Sequence, residues 1–146
     1  LKSNLVLAKT VPPATSISYG RLFTTARDSL IGTVPIGYAD GYSRRLTGRA
    51  SMLVRGQRAP VVGRICMDTC MADLTDLENN PAIRAGEEVV LFGRQKGARH
   101  QGEITVDEMA DWLETINYEV TCLIGKRVPR VYIRDGQLEH VSNYLI

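Results

Sequence analysis

The sequence predicts a mainly β domain, a Greek-key-like barrel or sandwich with one well-capped α-helix at about 106–117. Three observations predict it. Short β-branched runs recur between turn residues. An Asp-Gly pair joins two such runs near the C-terminus. Only one stretch carries both the start signals and the period of a helix. The long helices that alternate with strands in a parallel α/β sheet are missing.

In chain order, the strand candidates cover residues 5–11, 31–36, 52–54, 60–62, 65–73, 88–92 and 131–134, each bounded by Gly, Pro, Asn or Asp. The clearest hairpin spans 131–141, where Asp135-Gly136 supplies the positive φ values of a tight primed turn. A second is expected at Arg55-Gly56-Gln57, between 52–54 and 59–62. The helix begins at a capping box, with Thr105 as N-cap and Glu108 three residues on. Ile104 and Met109 are placed to staple it, and Val106, Met109, Ala110, Leu113 and Ile116 form a core-facing stripe. Residues 75–81, with Asp and Asn, and 95–102, polar with two glycines, read as surface loops.

At 146 residues the chain is one domain, and 44% hydrophobic with 23% charged residues marks it as folded rather than disordered. The net charge is +2 and the arginines are dispersed among acids, which argues against nucleic acid as a partner. Cys66, Cys70 and Cys122 are an odd set, and the opening apolar run is too short for a signal peptide, so reduced thiols and a cytoplasmic location are expected. No run approaches the ~20 apolar residues of a bilayer span, so no membrane partner is expected. The spacings of the cysteines, His100 and His140 argue against zinc. The chain lacks an initiator Met and opens in a strand-like segment, as a cut between domains would.

Four segments differ from generic β-barrel sequence: Ser16-Ile17-Ser18-Tyr19-Gly20, residues 35–44 around Gly37-Tyr38-Ala39-Asp40-Gly41-Tyr42, Val62-Gly63-Arg64-Ile65-Cys66-Met67-Asp68, and Glu114-Thr115-Ile116-Asn117-Tyr118-Glu119-Val120. Each has a plain structural reading. Tyr19 fits an aromatic at a barrel rim, and Gly37–Gly41 fits a turn covered by its tyrosines. Cys66 and Met67 fit core filler on one strand ended by Asp68, and Tyr118 fits a ring capping the helix's C-terminal end. Taken in this order, however, the four resemble the C-terminal β-domain of alanine racemases. The resemblance runs through Arg127-Val128-Pro129-Arg130 and the final hairpin, so residues 1–146 are read as one such domain of a longer enzyme.

That resemblance carries definite implications. The enzyme would interconvert L- and D-alanine with pyridoxal 5'-phosphate, by proton transfer between two bases. Tyr19 would be the catalytic base on one face of the substrate. The backbone N–H of Met67 would donate to the substrate carboxylate, as a fixed main-chain donor does at little entropic cost. Tyr38 would gate the substrate corridor with Arg44 beside it, Arg64 would line the corridor, and the Tyr118 hydroxyl would reach the cofactor phosphate. A free phenol titrates near 10, so a phenolate base at neutral pH needs about 4 kcal/mol from neighbouring groups, some of them on a partner surface. None of Lys2, Lys9, Lys96 and Lys126 lies in a segment like that of the family's Schiff-base lysine. That lysine belongs to an N-terminal (β/α)8 barrel absent from this chain, so the domain alone is expected to be inactive. The implied partners are alanine, the enzyme's own barrel and a second subunit of a head-to-tail homodimer.

Two alternatives remain at this level. One is the β-domain of a related amino-acid decarboxylase, which also places a cysteine near an aspartate. The other is a stand-alone β-barrel binding module, though two Phe, one Trp and scattered Arg give no stacking platform.

Overall fold

The computed structural model describes residues 1–78 and 82–144; the last part of the loop expected at 75–81 lies outside the described residues. Its strands are β1 (Lys2–Asn4), β2 (Leu7–Val11), β3 (Ser16–Ile17), β4 (Phe23–Thr24), β5 (Ser29–Val34), β6 (Ser51–Val54), β7 (Gln57–Val62), β8 (Cys70–Asp73), β9 (Glu88–Val90), β10 (Gly93–Lys96) and β11 (Gln101–Ile104). Helices α1 (Val106–Leu113) and α2 (Asn117–Leu123) follow, and β12 (Arg130–Arg134) and β13 (Gln137–Ser142) end the fold.

The main sheet has the order β1-β9-β6-β7-β8-β5-β2 and is antiparallel throughout. Its two edge strands, β1 and β2, are joined only by Leu5 and Val6. Across a flat sheet those edges would stand about 29 Å apart, whereas three residue steps reach about 10 Å. The sheet must therefore curl until its edges meet. The hydrogen bonds show the closure: Leu5 N–H donates to Glu87 O and the next amide, Val6 N–H, to Thr33 O, both at 2.9 Å. The order β9-β6-β7-β8, with β6 to β8 consecutive and β9 returned beside β6, is the expected Greek key.

Both expected hairpin turns are present. Arg55 and Gly56 join β6 to β7 at φ 54° and 78°, and Asp135 and Gly136 join β12 to β13 at 51° and 76°. The barrel interior is filled by Met52, Val54, Ala59, Val89 and Leu91, all fully buried, while Leu53 between them faces outward, under β11. Helix α1 packs against this core. Thr105 Oγ1 accepts from Glu108 N–H at 3.1 Å, and Ile104, Met109 and Leu113 enter the same core. Among the described residues no helix is long and apolar enough to cross a membrane.

Several expectations are corrected. The helix stops at Leu113, not near 117, because Glu114 adopts the left-handed conformation (φ 59°). Thr115 N–H then donates to Ala110 O (3.0 Å) and Glu114 N–H to Asp111 O (3.1 Å), the paired bonds of a Schellman stop. Ile116, placed in the core stripe, is instead 63% exposed in the link between the helices, and α2 was not foreseen. Residues 95–102 are not a plain loop. They lie in the hairpin β10–β11, where Gln95 is buried, accepting from Gly56 N–H and donating to Glu88 O, each at 2.9 Å. The strand expected over 65–73 begins only at Cys70, and residues 65–69 form a loop.

Candidate active site

Three loops meet on one side of the barrel, and each is bent by a local cause. The first follows β3. The short sheet β3–β4 lies over the outer face of the barrel, where Ile17 packs with Ile31 and Val62. The chain then turns sharply at Ser18, whose φ of 64° and ψ of −178° are rarely held by a residue with a side chain. Ser18 Oγ donates to Arg64 O at 2.6 Å, which ties this strained residue to the third loop. The turn leaves Tyr19 projecting, 73% exposed. On the facing chain only glycine fits: a Cβ on Gly63 would lie 2.6 Å from Ile17 O, and its φ is +68°.

The second loop is the turn after β5. Asp40, buried, accepts Gly37 N–H through Oδ2 at 2.9 Å and closes the turn that carries Tyr38. Arg44 lies over the Tyr38 ring, with its guanidinium carbon 6.0 Å from the centroid. The turn rests directly on the third loop, because Tyr38 N–H donates to Cys66 O (3.1 Å) and Ala39 N–H to Met67 O (3.0 Å).

In that third loop, Cys66 N–H donates to Thr69 O at 2.9 Å, whereas Met67 N–H donates to no acceptor among the described residues. Met67 is 52% exposed, so it is not core filler as its plain reading required. Tyr42, read as packing, is indeed 1% exposed, and burial pushes its phenol well above the ordinary pKa.

Tyr19, Tyr38, Arg44, Arg64, Cys66 and Met67 thus share the lining of one open cleft of about 320 Å³. Four of the five residues singled out from the sequence as site residues meet there. The fifth, Tyr118, does not. It stands on the first turn of α2, 75% exposed, beside a separate depression lined by Asp107, Ala110 and Ile116. Sequence reasoning missed Arg127. Its guanidinium stands 3.2 Å from Asp40 Oδ1 and 2.6 Å from Asp68 Oδ1, bridging the second and third loops. Nothing local in the sequence marks a residue whose partners lie so far away along the chain.

The barrel thus gathers phenols, guanidinium groups and an open amide around one open cleft on its surface. Residues 1–132 match the family model described as alanine racemase, C-terminal domain, and the chain belongs to that family. It is 54% identical over 145 residues to an alanine racemase of Clostridium novyi, covering 99% of this chain but 36% of that protein. A crystal structure of alanine racemase from Bacillus anthracis with bound L-Ala-P superposes with a TM-score of 0.87 at 40% identity, over 99% of this chain and 35% of that one. Alanine racemase from Bartonella henselae with covalently bound pyridoxal phosphate gives 0.81 at 30% identity, over 90% of this chain and 34% of that one. The chain therefore spans about a third of the length of these relatives.

Proposed function

We propose that this chain is the β-domain of a pyridoxal-phosphate-dependent alanine racemase, to which it supplies a tyrosine base and the donor for the substrate carboxylate. The observation that carries the reading is the meeting of Tyr19, Tyr38, Arg64 and the open Met67 N–H around one cleft, in a chain of this family.

One side chain, apart from the cleft, suits part of the cofactor. The exposed Tyr118 phenol suits a phosphate oxygen, whereas no lysine lines the cleft, so the Schiff-base lysine belongs to the rest of the enzyme. When bound, pyridoxal phosphate supplies the electron sink that makes the α-proton of alanine removable.

Tyr19 Oη takes or returns that proton on one face of alanine, and the lysine of the absent barrel serves the other face. Arg64 shares the cleft with Tyr19 and contributes positive charge to it, the sign a phenolate requires. Met67 N–H binds the substrate carboxylate, a bond for which the free amide is already open. Tyr38, steadied by Arg44, narrows the approach and favours small amino acids. An open cleft of this kind is completed by another surface, which supports a head-to-tail homodimer in which Tyr19 and Met67 serve the partner's site.

The test is Tyr19→Phe in the full-length enzyme, with interconversion of the alanine enantiomers and Cα deuterium exchange measured together. Racemisation falls 10²- to 10⁴-fold, about the contribution of a general base, while the bound-cofactor absorbance stays. Activity within tenfold of wild type would remove Tyr19 from the mechanism. Release of carbon dioxide in place of Cα exchange would favour the decarboxylase alternative.

A further inference from the structure

We propose that Arg127 is a positioning residue for substrate binding, locking together the two loops that carry Tyr38 and the Met67 amide. What those groups bind rests on the functional reading above; the lock itself rests on geometry. Arg127 lies in the segment between α2 and β12, and its guanidinium addresses one carboxylate from each loop, Asp40 Oδ1 at 3.2 Å through Nε and Asp68 Oδ1 at 2.6 Å through Nη2.

The two contacts converge on one peptide plane. Asp40, whose side chain is only 12% exposed, uses its other oxygen to hold Gly37 N–H and so shapes the Tyr38 turn. That turn aims Tyr38 N–H at Cys66 O. In a trans peptide the Cys66 carbonyl and the Met67 N–H point in opposite directions. Pinning the carbonyl on the Tyr38 side therefore turns the Met67 N–H away from it, toward where a carboxylate can reach. Asp68, the next residue along, anchors the same loop from its far end.

The residue type matters. A guanidinium fork can serve two carboxylates at once, whereas a lysine ammonium is a point charge on a flexible stem. Without the fork, Asp40 and Asp68 would face each other as like charges. Arg127 is itself 44% exposed, and exposed ion pairs contribute little to stability. Its loss is therefore expected to register in binding geometry more than in folding.

The experiment uses the full-length enzyme with Arg127→Ala and Arg127→Lys. It reads steady-state racemisation and, by mass spectrometry, amide hydrogen exchange of residues 37–41 against residues 51–62. The expected result for Arg127→Ala is a KM for alanine raised about tenfold, about 1.4 kcal/mol, with kcat within about threefold and an unchanged pH profile. Exchange at 37–41 accelerates and exchange at 51–62 does not. Arg127→Lys restores less than half of the lost KM effect. An unchanged KM, full rescue by lysine, or equal acceleration in both segments would each overturn the proposal. Wild-type enzyme that does not racemise alanine would overturn the functional reading and with it the substrate role. The exchange comparison would still decide the lock, since unchanged exchange at 37–41 refutes it.

Discussion

Gly37→Ala is a severe test of how the cleft is built, because one methyl group is directed at two carbonyl oxygens. Gly37 has φ −149° and ψ −164°, an extended conformation open to any residue, so the change carries no penalty of backbone angle. The added Cβ would lie 2.3 Å from Cys66 O and 2.4 Å from Met67 O, both backbone atoms that cannot swing aside. Relief requires the Tyr38 turn and the Met67 loop to separate by about 1 Å, well beyond what a close-packed contact tolerates. That separation breaks Tyr38 N–H to Cys66 O and Ala39 N–H to Met67 O. Each bond is worth about 1 kcal/mol net, and overpacking adds about 1–3 kcal/mol, so a loss of about 3–5 kcal/mol is expected. The assay is urea unfolding of the full-length enzyme by fluorescence, alongside the KM for alanine. Gly48→Ala is the control: its φ is +67° with nothing within 4 Å of the added Cβ, so it pays only for backbone angle, about 1 kcal/mol. If Gly37→Ala destabilised less than Gly48→Ala and left KM unchanged, the loops would not be seated on each other as described.

Two further predictions concern titration. Burial raises the Cys70 thiol from its ordinary 9.0 to about 12. Its contribution to stability is therefore whole below about pH 9 and is lost as pH rises from there through about 12, which Cys70→Ala at high pH should reveal as a flatter alkaline limb. Iodoacetamide should likewise modify Cys70 only after unfolding, although Cys122 is exposed; rapid labelling of Cys70 itself in the native protein, read by peptide mass, would contradict the burial. The hydrogen bond from Arg58 lowers the Glu108 carboxyl below the usual carboxylate range. That contribution is whole above the unfolded value of about 4.3 and is lost as pH falls through the folded value, so Glu108→Gln should flatten the acid limb of stability against pH. An unchanged acid limb would mean that the ion pair is inactive in solution.

The parts of the fold legible in the sequence are those whose causes are local. Thr105, Glu108, Ile104 and Met109 lie within six residues and announce the start of α1: Thr105 caps the Glu108 amide, and Ile104 and Met109 enter one core, while the Glu108 carboxylate goes to Arg58 rather than back to the cap. Asp135-Gly136 likewise states its own turn. The end of α1 was illegible because Glu114, not glycine, takes the left-handed position; its carboxylate is held by Arg45 and Arg49 at 2.7 Å each, from far upstream. The hairpin β10–β11 was hidden because Gly93-Arg94-Gln95-Lys96 has no β-branched residue, and its buried Gln95 is explained only by the Gly56 amide it satisfies. Ile65 and Met67 lie in a run that mixes apolar and polar residues as a strand would, yet residues 65–69 form a loop bonded to the Tyr38 turn, not a sheet. The cleft was legible as three of the four segments, through family resemblance rather than periodicity, while the fourth, around Tyr118, lies apart from it. Arg127 was not legible, because its role exists only once Asp40 and Asp68 are brought together.

The most direct test of a Tyr19 base delivered across subunits is complementation between two inactive full-length variants. One carries Tyr19→Phe, and the other lacks the Schiff-base lysine of the barrel. The two are mixed, dissociated and reassociated, and racemisation is then measured. If Tyr19 serves the partner's site, each mixed dimer regains one intact site, and activity returns to about a quarter of wild type at random reassortment. If the mixture stays as inactive as its components although mixed dimers form, Tyr19 does not reach across the interface, and the account of this domain as the wall of a partner's active site is wrong.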